Sequence, residues 1–234
     1  MPIYAGVGIS SHKDYKSAVT EAVYQAKTNL KQKEISLAIV FTSSEFSLAY
    51  LLKSISNLIG VNIPLLGATS NAIFTNDGIL KHGIAITLLS TKEAYFNSAL
   101  VRNALTDLYA SGDNLGKRLL FGMKVLQRRF CLLFSDGLII DNLPLLRGLQ
   151  QRLGHSFPII GATSASDNIH LNKTYQYFNQ EVLNSSVVGL LWAGRVNFGL
   201  GIKHGWKPIG KPHRVNISDK FVIKEIEKKP AVSL

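Results

Sequence analysis

The chain has 234 residues, 46% of them hydrophobic, enough to bury ~70% of the surface its unfolded form would expose and to fold without a metal or a disulfide. Its single cysteine, Cys131, has no thiol partner, and its longest apolar run, Val187 to Ala193, is far shorter than the ~20 residues that cross a bilayer. These features exclude a disulfide scaffold and a cysteine-held zinc and predict a cytoplasmic protein without a membrane partner. Twenty-six Lys and Arg against fifteen Asp and Glu leave a charge of +11, but the basic residues are scattered and not interleaved with aromatics, a pattern of solvated surface rather than a specific nucleic-acid footprint.

A first strand spans residues 1–9. Ser11 is placed to cap a helix, with Asp14 in its first turn and Tyr15, Ala18, Val19, Ala22, Val23, Ala26 and Leu30 at helical spacing. A strand over Ile35 to Phe41 leads through Thr42-Ser43-Ser44 into a helix striped by Leu48, Leu51, Leu52, Ile55, Leu58 and Ile59, and then into a strand ending Pro64 to Ser70. A loop with Asn76-Asp77-Gly78 precedes strands over Gly83 to Leu89 and Tyr95 to Val101. Next come a helix from about Asp113 to Leu126, strand Phe130 to Phe134, turn Ser135-Asp136-Gly137, and a helix carrying Leu143, Leu146, Leu149 and Leu153. A strand through Pro158 follows, then a hairpin joining Tyr175 to Phe178 with Val182 to Trp192. Phe198 to Ile202 echoes Ala5 to Ile9 as the start of a third unit, and the chain closes with a hairpin around Ser218-Asp219-Lys220.

The chain repeats itself: Ile63-Pro64-Leu65-Leu66-Gly67-Ala68-Thr69-Ser70 returns as Phe157-Pro158-Ile159-Ile160-Gly161-Ala162-Thr163-Ser164, with Pro158 standing 94 positions after Pro64. Each copy reads β-α-β-α-β plus an added strand. Right-handed crossovers put both helices of a copy on one face of its sheet, leaving an apolar face for the other copy to cover. The expected fold is α/β, two duplicated β-α-β-α-β-β units with mixed sheets in a four-layer α/β/β/α sandwich; one continuous sheet is the alternative. The expected domains are residues 1–195, built of repeats over about 1–94 and 95–195, and a segment 196–234 that begins a third unit or a truncated further domain.

Ligands of such sheets bind beyond the carboxyl ends of the strands, and here those ends carry Thr69, Ser70, Ser135, Asp136, Thr163, Ser164 and Asp167, hydroxyls and carboxylates beside glycines that let a ligand approach. Backbone N–H groups near Thr69, Ser70, Thr163 and Ser164 are placed to take a carboxylate, and Asp136 or Asp167 an ammonium. His204 and Trp206 form the densest cluster of unusual residues and could line a pocket. Gly6-Val7-Gly8 and Gly199-Leu200-Gly201 lack the third glycine of a dinucleotide fingerprint, and Gly112 to Lys117 is one residue short of a phosphate loop, so nothing calls for a cofactor or a metal.

Taken together, Pro64 to Ser70, Leu133 to Leu138, Pro158 to Asp167, Tyr175 to Asn179 and His204-Gly205-Trp206 with Pro208 and Gly210 resemble the FIST family over almost the whole chain. The resemblance implies an amino-terminal sensory domain that binds a small molecule such as an amino acid and signals to a protein partner rather than catalysing a reaction. Ala68, Ala72 and Ile73 replace a thiol, a glycine and an acid of the family's usual first block, and Ala162 a glycine of the second. The alternatives are a hydrolase or transferase with Ser135 or Thr163 as nucleophile and His204 as base, and a basic module for acidic partners.

Overall fold

The computed structural model describes residues 3–75, 78–166, 173–219 and 221–233. They divide into two compact units, Met1–Asn197 and Phe198–Leu234. In the larger unit the first copy comprises strand β1 (Tyr4–Ser10), helix α1 (Tyr15–Asn29), β2 (Leu37–Thr42), α2 (Leu48–Ile59), β3 (Leu65–Thr69), a small hairpin of β4 (Ile73–Thr75) and β5 (Gly78–Leu80), and β6 (Ile84–Ser90). The second repeats the order: β7 (Ala94–Val101), α3 (Leu108–Phe121), β8 (Arg128–Ser135), α4 (Leu143–Leu153), β9 (Ile159–Thr163), a hairpin of β10 (Gln176–Phe178) and β11 (Glu181–Leu183), and β12 (Val187–Gly194).

Both sheets have the same topology. The first runs β1-β6-β2-β3 and the second β7-β12-β8-β9, each with one parallel pair, β2 with β3 and β8 with β9. The added strand of each copy enters the middle of its sheet, antiparallel to both neighbours, so the first two strands of a copy are not adjacent as the simple crossover picture has them. The first sheet then continues past β3 into β10 and β11, a hairpin contributed by the second copy. The expected long hairpin from Tyr175 to Trp192 is therefore divided: β10 and β11 join the first sheet, and after Asn184 the chain returns as β12 to the second.

Three apolar clusters define four layers. Helices α1 and α2 bury Ala22, Val23, Ala26, Leu51, Leu52 and Ile55 against Val40, Leu65 and Ile86 of the first sheet. Helices α3 and α4 bury Leu115, Leu119, Leu145 and Leu149 against Cys131, Leu133 and Leu191 of the second. The other faces of the two sheets meet through Leu37, Leu66, Leu100, Phe134, Val188, Leu190 and Trp192. Within this layer Phe41 meets Phe134 edge to face at 5.6 Å, and Trp192 lies stacked on Phe130 at 5.0 Å. Cys131 is fully enclosed and burial pushes its thiol up to about 12, leaving it protonated and unreactive at neutral pH.

Two helix starts differ from expectation. Asp14, not Ser11, caps α1, its carboxylate accepting from Ser17 N–H at 2.9 Å. Helix α3 starts five residues early because Asp107 accepts from Ala110 N–H at 2.9 Å, and it ends at Phe121, so Leu126 is exposed rather than inward. Gly112 and Gly148 let α3 and α4 approach closely: a Cβ at Gly112 would stand 2.1 Å from the Leu145 carbonyl, and one at Gly148 2.1 Å from the Tyr109 carbonyl.

The smaller unit has a three-stranded sheet of Val215–Asp219, Val222–Ile226 and Lys229–Pro230. Phe198 to Ile202, read as a strand, has no regular structure.

Helix propensity alone favours alanine over glycine by about 1 kcal/mol at position 112, whereas overpacking of a closed contact costs roughly 1–3 kcal/mol. The second effect prevails, because the obstructing atom is backbone. Gly112→Ala should therefore lower the melting temperature, and thermal unfolding monitored by circular dichroism checks the sign.

Candidate functional site

The two polar rims meet, but each in a different state. At the first, the backbone groups expected to hold a carboxylate are already bonded. Thr69 N–H donates to the Tyr175 carbonyl at 2.9 Å, Ser70 N–H to the Thr42 carbonyl at 2.9 Å, and the Thr69 carbonyl accepts from Ala165 N–H at 2.9 Å. Tyr175 N–H in turn donates to Thr69 Oγ1 at 3.0 Å. Ser44 Oγ lies 3.0 Å from Ser166 Oγ across the same seam. Thr69 thus stitches the copies together, while Ser70 ties β3 to β2 within the first copy, so neither amide is a free anion donor.

Asp136 is likewise engaged. Although only 1% exposed, its carboxylate accepts from Leu138 N–H at 2.8 Å, Thr174 Oγ1 at 3.1 Å and Ser185 N–H at 2.7 Å. Thr174 Oγ1 also accepts from Gly137 N–H at 2.9 Å and lies 2.8 Å from Ser164 Oγ, which accepts from Gln176 Nε2 at 2.6 Å. Ser164 N–H donates to the Ser135 carbonyl at 2.8 Å. This knot ties the ends of β8 and β9 to the beginnings of β10 and β12, so the ammonium role of Asp136 is replaced by a structural one. Asp167, the other carboxylate expected to hold an ammonium, lies outside the described residues.

The rims differ because of one aromatic residue. In the first copy Tyr177 of β10, directly opposite Gly67, fills the space on the helix side of β3; it is fully buried among Val40, Leu52 and Leu65. Its hydroxyl lies 2.6 Å from Thr42 Oγ1, which is also 2.9 Å from the Ser43 carbonyl. In the second copy the equivalent space is a groove of about 290 Å³, lined by Leu133, Ser135, Asn142, Leu146, Ile159, Gly161, Ala162 and Thr163. Ser135 stands where Thr42 stands, Gly161 where Gly67 stands, and Ser135 Oγ donates to Asn142 Oδ1 at 3.1 Å. Of the four amides expected to bind an anion, only Thr163 N–H has no hydrogen-bond acceptor among the described residues.

The groove therefore unites Ser135 and Thr163 with Asn142, a residue that sequence reasoning missed; its place at the start of α4 opposite the end of β8 was the available clue. His204 and Trp206 belong to the smaller unit, where both are exposed. Among the described residues the groove lining contains no histidine. Sequence reasoning also missed His82, whose Nδ1 lies 3.1 Å from Glu45 Oε2 and 3.3 Å from Ser43 Oγ. Serine and carboxylate share one ring nitrogen, and Nε2 is buried without a hydrogen-bond partner, so these residues do not form a nucleophile–base–acid relay. Among the described residues no cluster of three His, Cys, Asp or Glu could hold a metal, and no helix is long and apolar enough to cross a membrane.

Comparison with known proteins gives three results. The sequence model of the FIST N domain matches residues 36–229. No curated protein matches significantly. Among solved structures, a cyanuric acid hydrolase described as an evolutionary innovation by structural concatenation aligns over 82% of this chain and 68% of its own, at 7% identity and a TM-score of 0.41. A second cyanuric acid hydrolase, from A. caulinodans, aligns over 83% of this chain and 72% of its own, at 10% identity and a TM-score of 0.42.

Replacing Asp136 by alanine removes one acceptor from three donors, each costing about 1–3 kcal/mol when left buried and unsatisfied. Asp136→Ala should therefore lose about 3 kcal/mol or more, read as a lower urea midpoint. A residue serving only a ligand would leave the midpoint of the free protein unchanged.

Proposed function

Because the chain belongs to the FIST family, a family of sensory domains, we propose that it is a non-catalytic sensory module whose second-copy groove receives a small polar, amino acid-like ligand. The observation that carries this reading is the asymmetry of the two rims: one is filled by Tyr177, and the other, built on the same strand ends, is open. A zwitterion fits the chemistry of the open one. Thr163 N–H and the Thr163 hydroxyl receive the carboxylate, joined by Ser135 Oγ once its proton turns away from Asn142 Oδ1. The Gly161 carbonyl and Asn142 Oδ1 receive the ammonium, taking the part that the committed Asp136 cannot play. Leu133, Leu146 and Ile159 cover the apolar portion of the ligand.

The groove opens beside the seam where β10 crosses from one copy to the other, so an occupant that braces β9 against α4 bears on the Ser164–Thr174–Asp136 knot holding that crossing. Signal output to a protein partner then follows from a change in the stability of the crossing, by as much as the ligand's affinities for the two states differ.

A panel of amino acids in a thermal-shift assay tests the reading. A ligand at 100 times its Kd adds about 2.7 kcal/mol, raising the melting temperature of a chain this size by roughly 5–10 °C. Asn142→Ala should abolish the shift. A well-folded sample that no member of the panel stabilises would count against the proposal.

A further inference from the structure

The hairpins of the two copies are equivalents in register. β10, β11 and the first residue of β12 each stand 103 positions after β4, β5 and the first residue of β6, which pairs Phe74 with Tyr177, Ile79 with Val182 and Leu80 with Leu183. Their fates are opposite. Tyr177 is 0% exposed and its hairpin extends the first sheet, whereas Phe74 is 80% exposed, Ile79 is 61% exposed, and β4 and β5 pair only with each other.

The strand that β4 would extend, by the same rule, is β9. In β3 the Thr69 amide and the Leu65 carbonyl are taken by Tyr175 and Asn179 on either side of β10. In β9 their equivalents, the Thr163 amide and the Ile159 carbonyl, have no hydrogen-bond partner among the described residues, and Gly161, Ala162 and Thr163 are exposed. Two other sheet edges are blunted: at β1, Gln25 accepts from Ile9 N–H at 3.0 Å and Asn29 donates to the Val7 carbonyl at 2.7 Å; at β7, Arg118 donates to the Leu100 carbonyl at 2.8 Å. An edge left bare beside an empty socket for an aromatic ring is a template for strand addition.

We infer that β4 of the β4–β5 hairpin of a second copy of this chain adds to β9, with Phe74 seated in the groove lined by Leu133, Ser135, Leu146 and Gly161 as Tyr177 is seated in the first copy. The contact continues an interface the chain already makes once within itself. Its size points to a second copy: one short hairpin has only several hundred Å² to bury, below the ~1,200 Å² of a standard interface, while two reciprocal contacts approach it. Each chain has one hairpin to give and one edge to receive it, so exchange closes a dimer. The occupant shares the groove with the ligand of the preceding section, making the two competitors, but the assembly does not depend on that reading.

Sedimentation velocity of the full chain without ligand, at concentrations up to about 1 mM, should show a mass rising from 25.7 kDa toward twice that value. Phe74→Asp removes the ring from a position exposed in the monomer, and Thr163→Pro removes the donor from the edge; each variant alone should remain monomeric with unchanged circular dichroism. Mixed, they should associate more than either alone but less than wild type, since one intact contact of the two is restored. A monomeric wild type, or a Phe74→Asp chain that dimerises as strongly as wild type, would overturn the inference. Failure of amino acids to dissociate a confirmed dimer would instead remove the ligand reading and leave the docking intact.

Discussion

The structure depends on one requirement: the open edge of a sheet must be covered. β3 presents a row of backbone groups, and the second copy covers it with β10, so that a hairpin encoded more than a hundred residues downstream becomes part of the first sheet. Loop closure over that distance is slow but costs only logarithmically more than over a short one, and the burial of Tyr177 and the aromatic layer between the sheets offset it. The crossing also explains why polar residues crowd the rim. A chain that leaves one sheet for another exposes main-chain donors at the bend, and Asp136, Thr174 and Ser164 accept or relay them.

The same requirement gives the second copy its chemistry. Two strand ends with nearly the same sequence behave differently because one has received a neighbour and the other has not. Thr69 and Thr163 occupy equivalent places, and only the latter retains a free amide toward a groove. Sensing needs a site whose occupancy changes the energy of something else; a groove flanked by α4 on one side and by a strand with one bare edge on the other would meet that description, because whatever enters it supplies hydrogen bonds that the fold lacks.

Much of this architecture was legible in the chain. The repeated Pro-x-x-Gly-Ala-Thr-Ser block set the duplication, and the apolar runs Ile35 to Phe41 and Gly83 to Leu89 marked strands covered on both faces. What could not be read was pairing. β4 and β5 are three residues long, too short for periodicity, and the Asn76-Asp77-Gly78 sequence between them reads as a loop. Nothing in Gln176 to Phe178 states that its partner is Leu66 to Ala68 rather than its own copy. The site residues failed for the same reason: a serine or threonine after a strand is a ligand donor or a seam according to what lies opposite, and the opposite side is a tertiary fact. Ser11 can cap as well as Asp14 on paper, and the sequence alone does not choose between them.

Residue-resolved amide hydrogen exchange in dilute, ligand-free protein tests this asymmetry most directly. Thr69, bonded to the Tyr175 carbonyl, and Tyr177, opposite Gly67, should exchange with protection near that of the global fold, while Thr163, the counterpart of Thr69 on the bare edge, should exchange orders of magnitude faster. Equal protection at Thr69 and Thr163 would mean that both edges are covered in the same way, and the account would be wrong.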